Sequence, residues 1–562
     1  LKLETLPSST PSRVAIIGGG LAGLAAACAL ADAGLSVHLF ERKPFLGGRA
    51  SSYEHPGTGE VVDNCQHVLL GCCTNLLDFY RRIGSNQLIR WYDRLNFVEP
   101  GGRRSVIAAS SLPAPFHTSP TFLTAHALSL TDKLAIARAM LAMMSSRPND
   151  NGHNFKQWLK SHGQTDQAIR RFWEPVVVSA LNEDTDRLSV AMASMVFRDA
   201  FLKSAEAGRM GLPTVPLTEL YARAGQYIEA RGGRVHLRAA VEDIDVAGEH
   251  VRVHIRDGQS LARKPASAAA HSDAFGPEQD REGHGFSDQV EDREGHGFSR
   301  TENAANDSGA FAPEGLQFDY LILATPVFAV SKLLPSTPDF APTRNAALHF
   351  EPSPITGIHL WFDREITQLD HAVLLDRTIQ WMFHKSRILS RFANASSGTN
   401  VAPARSRRPA IAETPSDETH NSQLTTQNSQ IPTGSYLELV VSSSKSLVEK
   451  PRQEIIDLAV RELADFFPIV RDAQLTKATV VKEIHATFSP RPGIDQFRPS
   501  PSTANPRVFL AGDWIATGWP ATMEGAVRSG YMAAEALLNS IGDSRMILVP
   551  DLPACGLMRL FR

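Results

Sequence analysis

The chain has 562 residues, with 57 Lys and Arg against 60 Asp and Glu for a net charge of −3, so it carries no basic excess of the kind that marks a nucleic-acid-binding surface. Its five cysteines are odd in number, three of them (Cys65, Cys72 and Cys73) crowd together, and none forms a C-x-x-C pair; this excludes a secreted disulfide framework and a zinc-type spacing. No apolar run reaches the ~18 residues that a spanning helix needs, and the apolar stretch from Val14 lacks a preceding basic region, so the expected location is the cytoplasm.

Arg13 to Ile17 is an apolar β-branched strand that runs into Gly18-x-Gly20-x-x-Gly23 and an Ala-rich helix from Leu21 to Ala33. Gly18 permits the tight turn, Gly20 lets backbone approach a pyrophosphate, and Gly23 lets the helix pack on the strand. The following strand, Ser36 to Glu41, ends in an acid about 20 residues past the turn, where a carboxylate binds ribose hydroxyls. Lys43-Pro-Phe-Leu-Gly-Gly-Arg49 then adds a second glycine pair and a guanidinium suited to phosphate oxygens.

From Tyr92 to Arg209 the pattern is largely helical. The strand read over Arg234 to Val241 and the one from Phe318 to Ala324 are assigned to the nucleotide-binding sheet, while Ile355–Phe362, Gln380–Phe383 and Tyr436–Val441 read as strands of a separate sheet. Two polar segments, Asp257–Gly315 and Ala393–Gly434, are expected to be disordered insertions; the first holds a duplicated octapeptide, Asp280 to Ser287 and Asp292 to Ser299, and interrupts a surface hairpin. Near the C-terminal end, Arg507-Val-Phe-Leu-Ala-Gly-Asp513 is another strand with an acid at its tip, placed to accept bonds from a ribityl chain. Met523-Glu-Gly-Ala526 opens a helix whose free N–H groups would face a flavin edge.

These pieces define an α/β fold in which a Rossmann-like FAD-binding domain (13–90, 210–335 and 505–540) is interleaved with an α+β substrate domain (336–500) and a helical, substrate- or membrane-facing region (91–209), followed by a tail (541–562). The cofactor-binding set is Gly18, Gly20, Leu21, Ala22, Gly23, Glu41, Arg42, Gly48, Arg49, Val241, Gly512, Asp513, Met523 and Glu524. FAD is expected to be noncovalent, because no cysteine lies between Gly512 and Gly530. No metal is expected.

Asp63-Asn-Cys-Gln-His-Val-Leu-Leu-Gly71, Phe172-Trp-Glu-Pro175 with Leu181-Asn182, Gln380-Trp381, and Ala511-Gly-Asp-Trp514 with Gly518 to Ala526 together resemble the hydroxysqualene dehydroxylases. These are the squalene-associated branch of the amine oxidase and phytoene desaturase superfamily. The similarity covers nearly everything outside the two insertions, and Cys65 departs from an expected glycine. What the resemblance implies is reductive removal of an allylic hydroxyl from a C30 isoprenoid alcohol, giving squalene and water for hopanoid synthesis. Such chemistry needs a proton donor beside the flavin and a dry apolar tunnel. His67 is the expected donor, with Asp63 orienting it or donating itself. Trp173, Glu174 and Trp381 are either tunnel walls or parts of the core.

The substrate is then a membrane-partitioning lipid, and the electron donor is unassigned. Phe122 to Met144 and Leu557 to Arg562 are candidate contacts with a membrane surface, on which the protein would be peripheral. A carotenoid-type desaturase acting on phytoene or diapophytoene, a flavin amine oxidase and a non-catalytic flavin-binding scaffold on the membrane are the competing readings.

Overall fold

The computed structural model describes residues 11–256, 316–389 and 434–561. Its centre is a five-stranded parallel sheet in the order Arg234–Leu237, Ser36–Glu41, Arg13–Ile17, Tyr320–Leu323, Val508–Leu510. Helices cover a parallel sheet on both faces, and Val14, Ala15 and Ile16 are accordingly all buried, whichever face they point to. The helix Leu21–Asp32 packs between Leu217–Glu229 and Met523–Ser540. Its run of alanines is what permits that: a Cβ on Gly530 would lie 2.2 Å from the Ala22 carbonyl, so the two helices are as close as backbones allow.

A second sheet has seven strands, in the order Leu475–Phe488, Pro352–Phe362, Ser435–Ser442, Trp381–His384, His371–Leu374, Arg94–Val98, Arg104–Ala108. All neighbours are antiparallel except His371–Leu374 and Arg94–Val98. Alternation along Ser435–Ser442 sends Leu437, Leu439 and Val441 into one core with Ile455, Ala459 and Leu463 of the helix Arg452–Phe466. Val440 goes to the opposite face, where it meets Cys65, Met210 and Leu212. That second face is turned to the segment that leaves the FAD-binding part.

Several expected elements are redrawn. The stretch after Tyr92 is not helical at its start: Arg94–Val98 and Arg104–Ala108 form a hairpin around Gly101 and Gly102, both with positive φ, and extend the substrate sheet. Helices follow only from Ser119 onward, as Ser119–Thr124, Leu130–Ser145 and their successors. The strand expected over Arg234 to Val241 stops at Leu237 because Arg238 adopts φ +57°. Val241 therefore opens a separate strand, Val241–Ala247, in a three-stranded sheet with His250–Ile255 and Leu316–Phe318. The strand expected from Phe318 likewise divides at Asp319: Phe318 pairs with Val251 in that three-stranded sheet, and only Tyr320–Leu323 enters the parallel sheet. His250–Ile255 and Leu316–Phe318 pair antiparallel, so the chain leaves and rejoins one hairpin at 256 and 316. The two segments expected to be disordered, with the octapeptide repeat, lie outside the described residues, apart from Gly434.

Candidate active site

The first glycine turn is built against the second. Gly18 takes φ +110°, and a Cβ there would stand 2.5 Å from the Ala324 carbonyl, so only glycine turns the chain at the end of Arg13–Ile17. Gly47 N–H donates to the Gly19 carbonyl at 2.9 Å, and Gly20 and Gly47 form a β-bridge. Glu41 fastens the same corner: one carboxylate oxygen accepts from Gly19 N–H at 2.7 Å, the other from Lys43 N–H at 2.8 Å. Arg42 beside it is exposed. Val241 lies two residues beyond Ala239, whose N–H donates to the Glu41 carbonyl.

The fit to a dinucleotide is tested by Gly20 and by the helix behind it. A Cβ on Gly20 would meet nothing nearer than the Gly48 Cα at 3.9 Å, so protein packing does not demand glycine there and the open side is available to a pyrophosphate. The helix starting at Leu21 and Ala22 has no side-chain cap and no acid in its first turn, leaving its N–H groups for an anion. The residues present fit FAD.

Arg49 joins this cradle to the C-terminal strand. Its guanidinium donates to Asp513 Oδ1 at 2.9 Å and to the Ala486 carbonyl at 2.7 Å. Gly512, with φ +141°, donates its N–H to Ser529 Oγ at 2.8 Å and turns Asp513 back toward Arg49. Met523 begins the helix Met523–Ser540, which Thr522 caps. Glu524, expected at the flavin edge, is placed elsewhere. Its carboxylate is fully buried and accepts from the backbone N–H groups of Asn75 and Leu76 and from the Asn75 amide. It therefore completes the N-terminus of the helix Thr74–Arg82, an attractive place for an acid because the unpaired N–H groups collect there.

The segment from Asp63 to His67 turns away from both roles expected of it. Lys385 Nζ donates to Asp63 Oδ2 at 2.6 Å and to Gln66 Oε1 at 2.7 Å, and lies 3.2 Å from Glu438 Oε2. All four side chains are buried. Burial alone would raise the pKa of Asp63, but Lys385, the Ser52 hydroxyl and the Leu217 N–H outweigh it and hold the carboxyl below its ordinary value. An ionised, fully engaged Asp63 neither donates a proton nor bonds to His67. His67 instead donates Nδ1–H to the Cys65 carbonyl at 2.7 Å. Burial pushes its pKa down, against the opposing pull of that bond and of Asp63. The ring is thus neutral with a lone pair at Nε2, a group that accepts protons. Cys65 does not take a positive φ, so the turn tolerates it, and burial pushes its thiol pKa up.

Lys385 and Glu438 were not singled out in the sequence, and Gln66 stood there only as part of the Asp63–Gly71 motif. Lys385 directly follows an apolar strand and reads as a surface lysine. Glu438 carried a usable signal: it shares its face of Ser435–Ser442 with Tyr436 and Val440, both buried. Of the aromatic candidates, Trp173 is core, fully buried against Phe197 with its indole N–H donating to Gln164 at 2.7 Å. Trp381 is half-buried, stacks on Phe383 with ring centroids 5.4 Å apart, and donates to Ser179 Oγ at 2.6 Å. Glu174 begins the helix Glu174–Leu181 and accepts from the Thr185 hydroxyl.

A parallel sheet with a glycine cradle, an Arg49–Asp513 clasp and a mainly antiparallel substrate sheet packed over it define an FAD-dependent oxidoreductase, with a Rossmann-like cofactor region and an α+β substrate region. The chain belongs to the family described as flavin containing amine oxidoreductase, which it matches over residues 21–271 and 299–538. Within the wider amine oxidase and phytoene desaturase superfamily it is similar to a probable zeta-carotene desaturase of Synechococcus elongatus, at 26% identity over 94% of this chain and 99% of the relative. It is also similar to a 15-cis-phytoene desaturase of the same organism, at 23% identity over 94% of this chain and 96% of the relative. Among solved structures, a putrescine oxidase superposes with a TM-score of 0.61 at 14% identity, covering 94% of this chain and 99% of the other. An oxidoreductase from Methanosarcina mazei gives 0.60 at 15% identity, covering 92% and 98%. These structural likenesses show the shared fold.

The relatives correct the expected reaction. Relatives matched over nearly their whole lengths bear the names of carotene and phytoene desaturases, which overturns the reading as a hydroxysqualene dehydroxylase and, with it, the squalene and hopanoid assignment. The motifs behind that resemblance hold at the level of the superfamily.

Proposed function

We propose that this chain is a desaturase of a long acyclic polyisoprenoid of the carotene type. The observation that carries the reading is the match to zeta-carotene and phytoene desaturases along nearly the full length of those proteins. Bound FAD supplies the two-electron oxidant that takes a hydride from an allylic carbon. The neighbouring carbon loses a proton, so one C=C bond forms and the protein must hold a base.

His67 suits that direction. A neutral imidazole, fixed by its Nδ1–H on the Cys65 carbonyl, offers Nε2 to an incoming proton. The surroundings also suit a hydrocarbon. Lys385 is spent on Asp63 and Glu438, which leaves its charge no role in holding an ammonium or a carboxylate. Cys65 packs with Met210, Leu212, Phe383, Ile388 and Val440 into an apolar cluster against the substrate sheet. Reoxidation needs an electron acceptor, whose identity this reading leaves unassigned.

The test is anaerobic mixing of the flavin-loaded protein with phytoene, ζ-carotene or diapophytoene in vesicles. The expected result is bleaching of the flavin absorbance together with the longer-wavelength bands of an extended polyene. Flavin that stays oxidised with every acyclic substrate would sink the proposal.

A further inference from the structure

The solvent side of the helix Leu130–Ser145 carries an apolar stripe. Leu130, Leu134 and Leu141 are 70%, 65% and 59% exposed. At about 100° per residue these three fall within about 40° of one another around the axis. Ile136, Ala139 and Met143, all buried, occupy the opposite side. The inner face is taken up by the core; the outer face repeats its apolar character, and among the described residues nothing covers it.

Two further segments extend the outer face. Lys133 Nζ donates to the Leu123 carbonyl at 2.7 Å, tying the end of Ser119–Thr124, with its exposed Leu123, to the helix. The Leu557 N–H donates to the Ala114 carbonyl at 2.9 Å, and Met558 packs on Ala114 and Leu202 beside Met140 and Met144. That contact holds Gly556–Leu560 against the helix while Leu560 itself is exposed.

The charged residues of the helix are Asp132, Lys133 and Arg138. Asp132 is buried, accepting from the Ser129 N–H at 2.9 Å and from the Thr165 hydroxyl at 2.5 Å. Lys133 and Arg138 flank the leucine stripe, about 80° and about 60° from its middle on opposite sides.

We infer that this face docks on an anionic lipid surface, with Leu123, Leu130, Leu134, Leu141 and Leu560 entering the boundary between headgroups and acyl chains and Lys133 and Arg138 meeting phosphate. Apolar insertion and basic attraction together are the two contributions that hold an interfacial helix in place. A second copy of the chain fits less well, because a two-fold contact through this face would set cation against cation. The surface would operate whatever the substrate, so its test does not depend on turnover.

The flavin-loaded protein is centrifuged through a density gradient with phosphatidylcholine vesicles, with and without phosphatidylglycerol. Wild type should float with the anionic vesicles and less so at high salt. Leu134→Glu/Leu141→Glu should bind them at least about tenfold more weakly while keeping its flavin; should that pair fail to fold, Leu134→Ser/Leu141→Ser reads the same surface. Arg138→Gln should weaken binding only to the anionic vesicles. Wild type that never floats, or leucine variants that float equally well, would overturn the inference. So would a wild-type dimer that the leucine variants split while neither form floats, which would make the face a protein interface.

Discussion

Asp63 and Lys385 are 322 residues apart and meet at 2.6 Å in the interior, where each is almost wholly buried. Asp63 ends the short strand Val61–Asp63, and Lys385 follows directly on Trp381–His384 in the substrate sheet. One ammonium thus ties the FAD-side segment to the sheet that covers it, with Gln66 and Glu438 completing its surroundings. Burial opposes the lysine's charge, yet Asp63 and Glu438 more than compensate and raise its pKa.

Removing that ammonium should be costly. Lys385→Met would leave the ionised Asp63 buried without its cation, and breaking a buried pair in this way typically costs about 3–5 kcal/mol. Chemical denaturation should show that loss, and Lys385→Met/Asp63→Asn should recover part of it because the stranded charge is gone. A single variant as stable as wild type would mean that water reaches the cluster and screens it.

Glu438 gives the cluster a pH dependence. Its carboxyl is pushed from 4.5 up to about 7 by burial, with Lys385 opposing and Asp63 adding to the rise. The folded protein therefore keeps this proton up to about pH 7, whereas the unfolded chain releases it near 4.5. Between those values the folded state binds more protons, so stability falls as pH rises and the loss is complete above the folded pKa. Glu438→Gln should accordingly be more stable than wild type at about pH 8, by on the order of a few kcal/mol, and unfold at a higher temperature, with the gap closing as pH falls toward the unfolded value. A gap that persists unchanged in acid would assign the gain to packing instead.

The FAD-binding core was legible in the sequence because its constraints are local. A β-branched strand, three glycines at fixed spacing, an acid at the next strand end and Gly512-Asp513 each impose their geometry within a few residues. Strand ends were less legible: Arg238 takes a left-handed conformation that no propensity favours, and it alone moves Val241 from the parallel sheet to another. The hairpin Arg94–Ala108 was hidden by the helices that follow it, although Gly101-Gly102 marked its turn. Site chemistry depended on contacts hundreds of residues apart, which no pattern in one strand reveals. Glu524 was correctly placed at a helix start, but the groups that claim it, Asn75 and Leu76, come from a different helix. Asp63 was expected to orient His67 or to donate a proton itself, yet its partner is Lys385.

Gly20 and Glu524 should separate cofactor binding from folding. The space around the Gly20 Cβ position is open, so Gly20→Val should fold with near wild-type stability and be colourless, because its side chain takes the side left for the pyrophosphate. Glu524→Ala should do the reverse. It strands the buried N–H groups of Asn75 and Leu76, at about 1–3 kcal/mol for each unsatisfied group, while flavin binding persists at lower temperature. Flavin absorbance and melting temperature measured on both variants decide the point, and a yellow Gly20→Val would remove the turn from the cofactor site. Acid precipitation should release the wild-type flavin into solution, as noncovalent attachment requires.

His67 carries the last prediction. Burial lowers its pKa below the ordinary 6.5, so the ring is neutral at physiological pH and available as a base. Flavin reduction by an acyclic carotene, followed without oxygen, should be flat with pH above neutrality and decline only below about pH 6.5 as the ring takes a proton. His67→Gln should slow that step by about 10²-fold, within the range a general base contributes, with FAD content unchanged and the acid decline gone. Glu438 also titrates near neutrality, so Glu438→Gln serves as the control: it should retain the acid decline, since the proton that matters belongs to the imidazole. If His67→Gln reduces its flavin as fast as wild type and keeps the same decline, the histidine only shapes the turn through its bond to the Cys65 carbonyl, and the base must be sought among other groups facing the flavin.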